Sequence, residues 1–186
     1  VDGKGTAALQ VAGLAGGAGD DRLLNEGSIT ISAAEALAHA TDASVTLNIS
    51  LAGAAGGASI ANTSANATAA VKGLDGGSGD DLLINRGPVD VRGRAQADSI
   101  GVTVSLNVAL GVAAGATITD ASSTAAAEVA GLDAGEGRDT MLNEGTVQAQ
   151  AEAVATGSSV SIVVPNIFGG YAAAKLSTSA TADAVG

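Results

Sequence analysis

The chain contains no cysteine. Disulfides, thiolate metal sites and cysteine nucleophiles are thereby excluded. It has no tryptophan, one phenylalanine and one tyrosine. Aromatic side chains dominate most compact cores. This core must instead be assembled from Ala, Val, Ile and Leu, and small side chains fill space only where backbone layers lie close together in a regular way. With a single histidine and no repeated Ser/His/Asp grouping, no catalytic constellation can be proposed, and the chain is read as a non-enzyme. Bases are scarce: 8 against 19 acids, a formal charge of −11. Nucleic acid requires a basic surface, so it is not an expected partner, whereas a cation is. No apolar run approaches the ~20 residues that cross a bilayer as a helix, so no membrane span is expected. Disorder, which an acidic composition alone would permit, is disfavoured by a hydrophobic content of 46 %. No signal peptide opens the chain. The opening VDGKGTAALQVAGL reads like the middle of a repeat, so either a leader has been removed or a longer chain surrounds this piece.

What the chain has is repetition, which decides fold class before anything else. Gly13-Leu14, Gly73-Leu74 and Gly131-Leu132 each open the same programme. A Gly/Asp turn comes first: GGAGDDRLLN from Gly16, GGSGDDLLIN from Gly76, AGEGRDTMLN from Ala134. Asn-x-Gly follows at Asn25, Asn85 and Asn143. Then come long segments with period-two alternation, the signature of a half-buried strand. The repeats are read as 1–12 (partial), 13–72, 73–130 and 131–186, within one domain over 1–186.

In the second copy Val89, Val91, Gly93, Ala95 and Ala97 share one face, and Asp90, Arg92, Arg94, Gln96 and Asp98 the other. In the third, Val147, Ala149, Ala151, Ala153 and Ala155 are inward. The first copy has one extra residue near Ala33-Ala34, which predicts a β-bulge. A second strand is expected with large aliphatics inward: Val45, Leu47, Ile49 and Leu51; Val102, Val104, Leu106, Val108 and Leu110; Val160, Ile162 and Val164. Thr46, Asn48, Ser50, Thr103, Ser105 and Asn107 would face outward. A Gly/Ala bend and a third strand, with Ala65, Ala67, Ala69 and Val71, lead to the next Gly-Leu. AAEALAHATDA could be an Ala-rich helix, but its aligned copy VRGRAQAD has strict period two. Three copies of one unit share one structure, so strand is expected.

The expected fold class is therefore all-β: a parallel β-solenoid of about three ~59-residue repeats, flattened, without significant helix. Alternating runs this long fit one large rung per copy better than several small coils. The section should be narrow near the Gly/Asp turn and wider opposite it.

Gly76 to Ile84 matches G-G-x-G-x-D-x-U-x at each fixed position, as does Gly16 to Leu24; Ala134 to Leu142 departs only at its first residue. This resembles the calcium-binding nonapeptide of RTX-type, haemolysin-like secreted bacterial proteins. The resemblance implies a parallel β-roll with Ca²⁺ held between stacked turns by glycine-turn carbonyls and the sixth-position carboxylate. The implied ligands are Asp21, Asp81 and Asp139, with the turn glycines Gly16 and Gly76. Asp20 and Asp80 are weaker candidates, because Arg138 replaces them in the third copy. Independent chemistry agrees: Ca²⁺ takes 6–8 hard oxygens, and stacked carboxylates repel unless a cation lies between them. Sites are expected between Asp21 and Asp81 and between Asp81 and Asp139. The family repeats its nonapeptide in tandem, whereas here it recurs every 58–60 residues. The long Ala/Thr/Val repeats also resemble those of giant bacterial surface proteins.

Asn25, Asn85 and Asn143 are either a hydrogen-bonded ladder or simple turn formers. His39, aligned with Asp98, is read as a surface strand residue. Asn48, Asn62 and Asn66 open glycosylation sequons. Together these features predict a secreted, calcium-stiffened structural module of a surface protein, adhesin stalk or filament. Its expected partner is itself, by end-to-end stacking. The alternative is a binding module for glycans or ice on the same scaffold.

Overall fold

A computed structural model describes residues 1–50, 53–164 and 170–186. Leu51, expected inward, and the Pro165 departure of the third copy lie outside the described residues. Among the described residues there are ten strands and no helix: β1 Asp2–Ala18, β2 Arg22–Asn25, β3 Ile29–Ser50, β4 Ala55–Ser78, β5 Leu82–Asn85, β6 Val89–Ala109, β7 Ala113–Asp133, β8 Thr140–Asn143, β9 Val147–Val164 and β10 Gly170–Val185. They form three parallel sheets: sheet A in the order β1-β4-β7-β10, the short sheet B β2-β5-β8, and sheet C β3-β6-β9. Each layer thus has one strand in each sheet, and β10 begins a fourth layer in sheet A. One copy makes one large rung. Asp2 pairs with Asn62, and Ala55 with Ala113. The register slips only between Ile31 and Ala34, where the extra residue predicted a bulge. AAEALAHATDA lies within β3, because its partner strand dictates extended backbone.

The three strands per copy are divided differently from expectation. The two alternating segments after Asn-x-Gly are one strand, 21 residues long in β6. The aliphatics after the Gly/Asp turn form a separate strand of four residues. Continuity of β6 has a large consequence. Period two is never reset, so the odd positions stay inside to the end of the strand. Thr103, Ser105 and Asn107 are buried, at 1 % exposure or less. The aliphatics expected inward face solvent instead: Val45 is 75 % exposed, Leu47 58 %, Ile49 65 % and Ile162 48 %. This corrects the inward assignment of Val45, Leu47, Ile49, Val102, Val104, Leu106, Val108, Leu110, Val160, Ile162 and Val164. It also corrects the outward assignment of Thr46, Asn48, Ser50, Thr103, Ser105 and Asn107.

The interior is zoned. Beside the Gly/Asp turn, Leu23, Val71, Leu74, Leu83, Val89, Val91 and Val129 form an aliphatic cluster. Ala36, Ala38, Ala40, Ala65, Ala67, Ala69, Ala95, Ala97, Ala125 and Ala127 meet across the middle. The far half is lined by Ser, Thr, Asn and Gly and ends at Ala55, Ala109 and Ala113. The bulky residues therefore sit at the turn end, reversing the expected taper.

The polar zone is internally hydrogen-bonded. The Thr103 and Thr119 hydroxyls pair across the sheets, Ser123 donates to Ser99 at 2.8 Å, and Asn48 Nδ2 donates to Asn107 Oδ1 at 3.0 Å. Satisfied polar groups can be buried without large cost. Gly57 and Gly115 are needed opposite those asparagines: a methyl group on either would collide with the Asn48 or Asn107 amide.

A second asparagine ladder runs beside the turns. Asn25 Nδ2 donates to Asn85 Oδ1 at 2.7 Å, and Asn85 Nδ2 to Asn143 Oδ1 at 2.8 Å. Of the two readings of these residues, the ladder is the observed one. Asn85→Ala deletes both bonds and strands the buried Asn25 amide. A loss of about 2–3 kcal/mol is expected from urea unfolding, against less than ~1 kcal/mol for the exposed Asn62→Ala.

Charged side chains stack on the outside, with bases in the middle layer. Arg86 lies between Glu26 (3.4 Å) and Glu144 (3.0 Å), and Arg94 between Glu35 (3.3 Å) and Glu152 (3.8 Å). His39, on the exposed face as expected, sits 3.3 Å from Asp98. Lys72 bridges Asp75 (3.0 Å) and Asp133 (2.7 Å). The Lys72 ammonium, hydrogen-bonded to Asp133, holds that carboxyl below its usual value, and Asp133 in turn raises Lys72. A lowered Asp133 stabilises above its unfolded pKa, and this is lost as pH falls through the lower folded value. A raised Lys72 stabilises fully below its unfolded pKa, and this is lost as pH rises through the higher folded value. Lys72→Met should therefore cost about 1 kcal/mol or less near neutral pH, since the pair is only partly buried. Its unfolding midpoint should converge on that of the parent protein once the pH has fallen through the lowered Asp133 value.

Candidate metal centre

The Gly/Asp turns carry sheet A into sheet B. In each copy the second and fourth residues of the motif have positive φ: 100° and 110° at Gly17 and Gly19, 100° and 133° at Gly77 and Gly79, 89° and 143° at Gly135 and Gly137. L side chains avoid that conformation, so glycine is required there by the backbone. The first residue does not have it. Gly16 and Gly76 are glycine for space: a methyl group on Gly76 would collide with the Ala134 carbonyl of the next layer. Ala134 breaks the motif at the same position in the third layer.

Stacking brings Asp21, Asp81 and Asp139 into one column and Asp20 and Asp80 into another, and the two columns point in opposite directions. Asp81 Oδ1 accepts from the Asp21 backbone N–H, and Asp139 Oδ1 from that of Asp81, each at 2.8 Å. Asp20 Oδ1 accepts from the Asp80 N–H, and Asp80 Oδ1 from that of Arg138, each at 2.9 Å. Asp20, Asp80, Asp81 and Asp139 thus each cover a backbone donor of the adjacent layer where the chain bends. Sequence reading missed this role. The recurring Asp-Asp pair was the available signal, because bends leave backbone donors without ladder partners.

The second oxygens differ. Asp81 is 2 % exposed. Asp21 Oδ2 and Asp81 Oδ2 are buried without a hydrogen-bond partner. Each lies beside a carbonyl at a glycine-only space. A methyl group built on Gly16 would be 2.9 Å from Asp21 Oδ2 and 2.5 Å from the Gly76 carbonyl oxygen. One on Gly76 would be 2.7 Å from Asp81 Oδ2 and would overlap the Ala134 carbonyl. Hard oxygens in pairs suit a hard divalent cation. Among the described residues no three acidic or histidine side chains gather at one point, so a bound ion would rely on backbone carbonyls for most of its ligands. Asp20 and Asp80 lie on the exposed side of the turn, in the separate column.

Among the described residues no helix is long and apolar enough to cross a membrane. No family model, no curated protein and no solved structure matches the chain.

Proposed function

We propose that the chain is a structural module of an extracellular or cell-surface assembly: a β-solenoid stalk or filament segment, stiffened by Ca²⁺ at its stacked Gly/Asp turns. The observation that carries the reading is the parallel register of three sheets from layer to layer, interrupted by the single bulge between Ile31 and Ala34. Such a stack is stabilised by nearest-neighbour layers and grows by adding more. Its ends are strand edges, β1, β2 and β3 at one and β8, β9 and β10 at the other, and exposed edges are templates for further strands. No catalysis is assigned to it.

Ca²⁺, in this proposal, is held by Asp21 and Asp81 through Oδ2, with the Gly76 and Ala134 carbonyls beside them and Asp139 completing the column. The ion would offset the charge of stacked carboxylates and tie neighbouring layers together. Gly16 and Gly76 keep the space open, and Asp20 and Asp80 cover backbone donors.

Electron microscopy and light scattering of the 186-residue chain test the stacking. Rods with a 4.8 Å axial repeat, lengthening with concentration, are the expected result. A monodisperse particle with ordered terminal layers and no axial growth rejects it.

A further inference from the structure

The aliphatic surface left outside on sheet C is unusual for its extent and its composition. In register across the layers stand Val45, Val104 and Ile162, then Leu47, Leu106 and Val164, then Ile49 and Val108. Their parity is fixed from within. Asn48 and Asn107, on the opposite face of the same strands, are hydrogen-bonded to each other and packed on Gly57 and Gly115. The strands cannot turn over without breaking that network. With Ile100, Leu110 and Val112, the exposed aliphatic area is on the order of 1,000 Å², beyond the ~300–600 Å² of the largest patch on a typical monomer. A standard interface buries about 800 Å² per partner, so three layers already carry enough for a stable pair.

We infer that this face docks a second copy of the same chain, sheet C against sheet C, over the distal halves of β3, β6 and β9. Two features select that occupant. The apolar surface is one-sided. On sheet A it ends at Ile60 and Ile118, with Lys175 paired beside Ile118 and Asn62 and Asp120 next along the same face. That makes a flat face, whereas insertion into a bilayer needs an apolar collar on both sides. Charge sets the geometry. Nothing between Ser99 and Thr119 is charged, while the proximal half of the same face carries Glu35, Arg94, Glu152, Asp90 and Arg92. A two-fold axis lying in the interface, parallel to the stacking axis and over the aliphatic half, lays that half on its mate. It also carries the two charged halves to opposite ends, so like charges do not meet. Facing sheets would pack about 10 Å apart, as in a β-sandwich.

Sedimentation of the intact chain tests this, with Leu106→Lys on the face and Asn66→Lys on the exposed side of sheet A. The expected result is side-by-side pairing, read as a doubling of mass per unit length at any extent of end-on growth, weakened tenfold or more by Leu106→Lys and unchanged by Asn66→Lys. The chain's lack of cysteine allows a second readout. Leu106→Cys should give a two-copy product with a short bismaleimide, and Asn66→Cys should not. A parent chain that stays monomeric at tens of micromolar overturns the inference. So does equal cross-linking of both variants, or flotation of the parent chain with phosphatidylcholine vesicles in place of self-association. End-on growth is a separate property: it produces an open series of lengths that Leu106→Lys leaves intact, so either behaviour can fail without the other.

Discussion

Asp81→Asn should leave the calcium-free protein about as stable as its parent, yet abolish most of the stabilisation that calcium brings. Asparagine keeps an oxygen to accept the Asp21 backbone N–H, which Asp81 Oδ1 accepts at 2.8 Å. It removes the charge and the anionic character of Oδ2, the buried oxygen that has no partner. Asp81→Ala removes both functions. It should cost about 1–3 kcal/mol even in EDTA, through the stranded Asp21 donor, and should also lose the calcium response. In the parent protein, calcium at a hundredfold excess over its dissociation constant contributes about 2.7 kcal/mol. For a chain of this length that is roughly 5–10 °C in melting temperature. Thermal melts of the three proteins in EDTA and in millimolar calcium separate the two roles. Identical parent melts in both conditions would sink the calcium reading and leave the aspartates as covers for backbone donors alone.

The second large effect is steric. Gly76→Ala should destabilise by roughly 2–4 kcal/mol, as forced overpacking against rigid backbone does. Its methyl group runs into the Ala134 carbonyl of the next layer, and Asp81 Oδ2 blocks the other side at 2.7 Å. The reverse change at the equivalent site, Ala134→Gly, should cost less than about 1 kcal/mol, an effect of backbone entropy alone. Urea unfolding of both variants measures the contrast. Equal costs would mean that the collision with the Ala134 carbonyl does not set the tolerance at Gly76.

These contrasts show where sequence reading reached and where it stopped. The length of the alternating runs after Asn25, Asn85 and Asn143 disclosed one rung per copy, because small coils turn corners too often to hold such runs. One surplus residue at Ala33-Ala34 disclosed the bulge. Parity in the distal half was not legible in the same way. Alternation states which residues share a face, not which face is inside. Assigning Val104 and Leu106 inward followed the usual preference for burying apolar area. Thr103, Ser105 and Asn107 occupy the interior because β6 runs straight through Ser99 and Gly101 without a bend. A usable signal was present in Asn48 with Gly57 and Asn107 with Gly115: a large amide facing a residue with no side chain, twice. The opposed aspartate columns had no counterpart in the linear pattern, since the direction of a side chain along the stacking axis is a property of the bend.

The alternation of acids and bases along the axis bears on how such a chain can change length. Consider a chain that lacks one copy between its second and third turns, Gly76 through Asp133. That loss would set Glu26 directly on Glu144 and Glu35 on Glu152, with Arg86 and Arg94 gone. Like charges one strand spacing apart destabilise a sheet. The three layers are therefore not interchangeable: the middle one is addressed to its neighbours, and a shortened product is penalised as it folds.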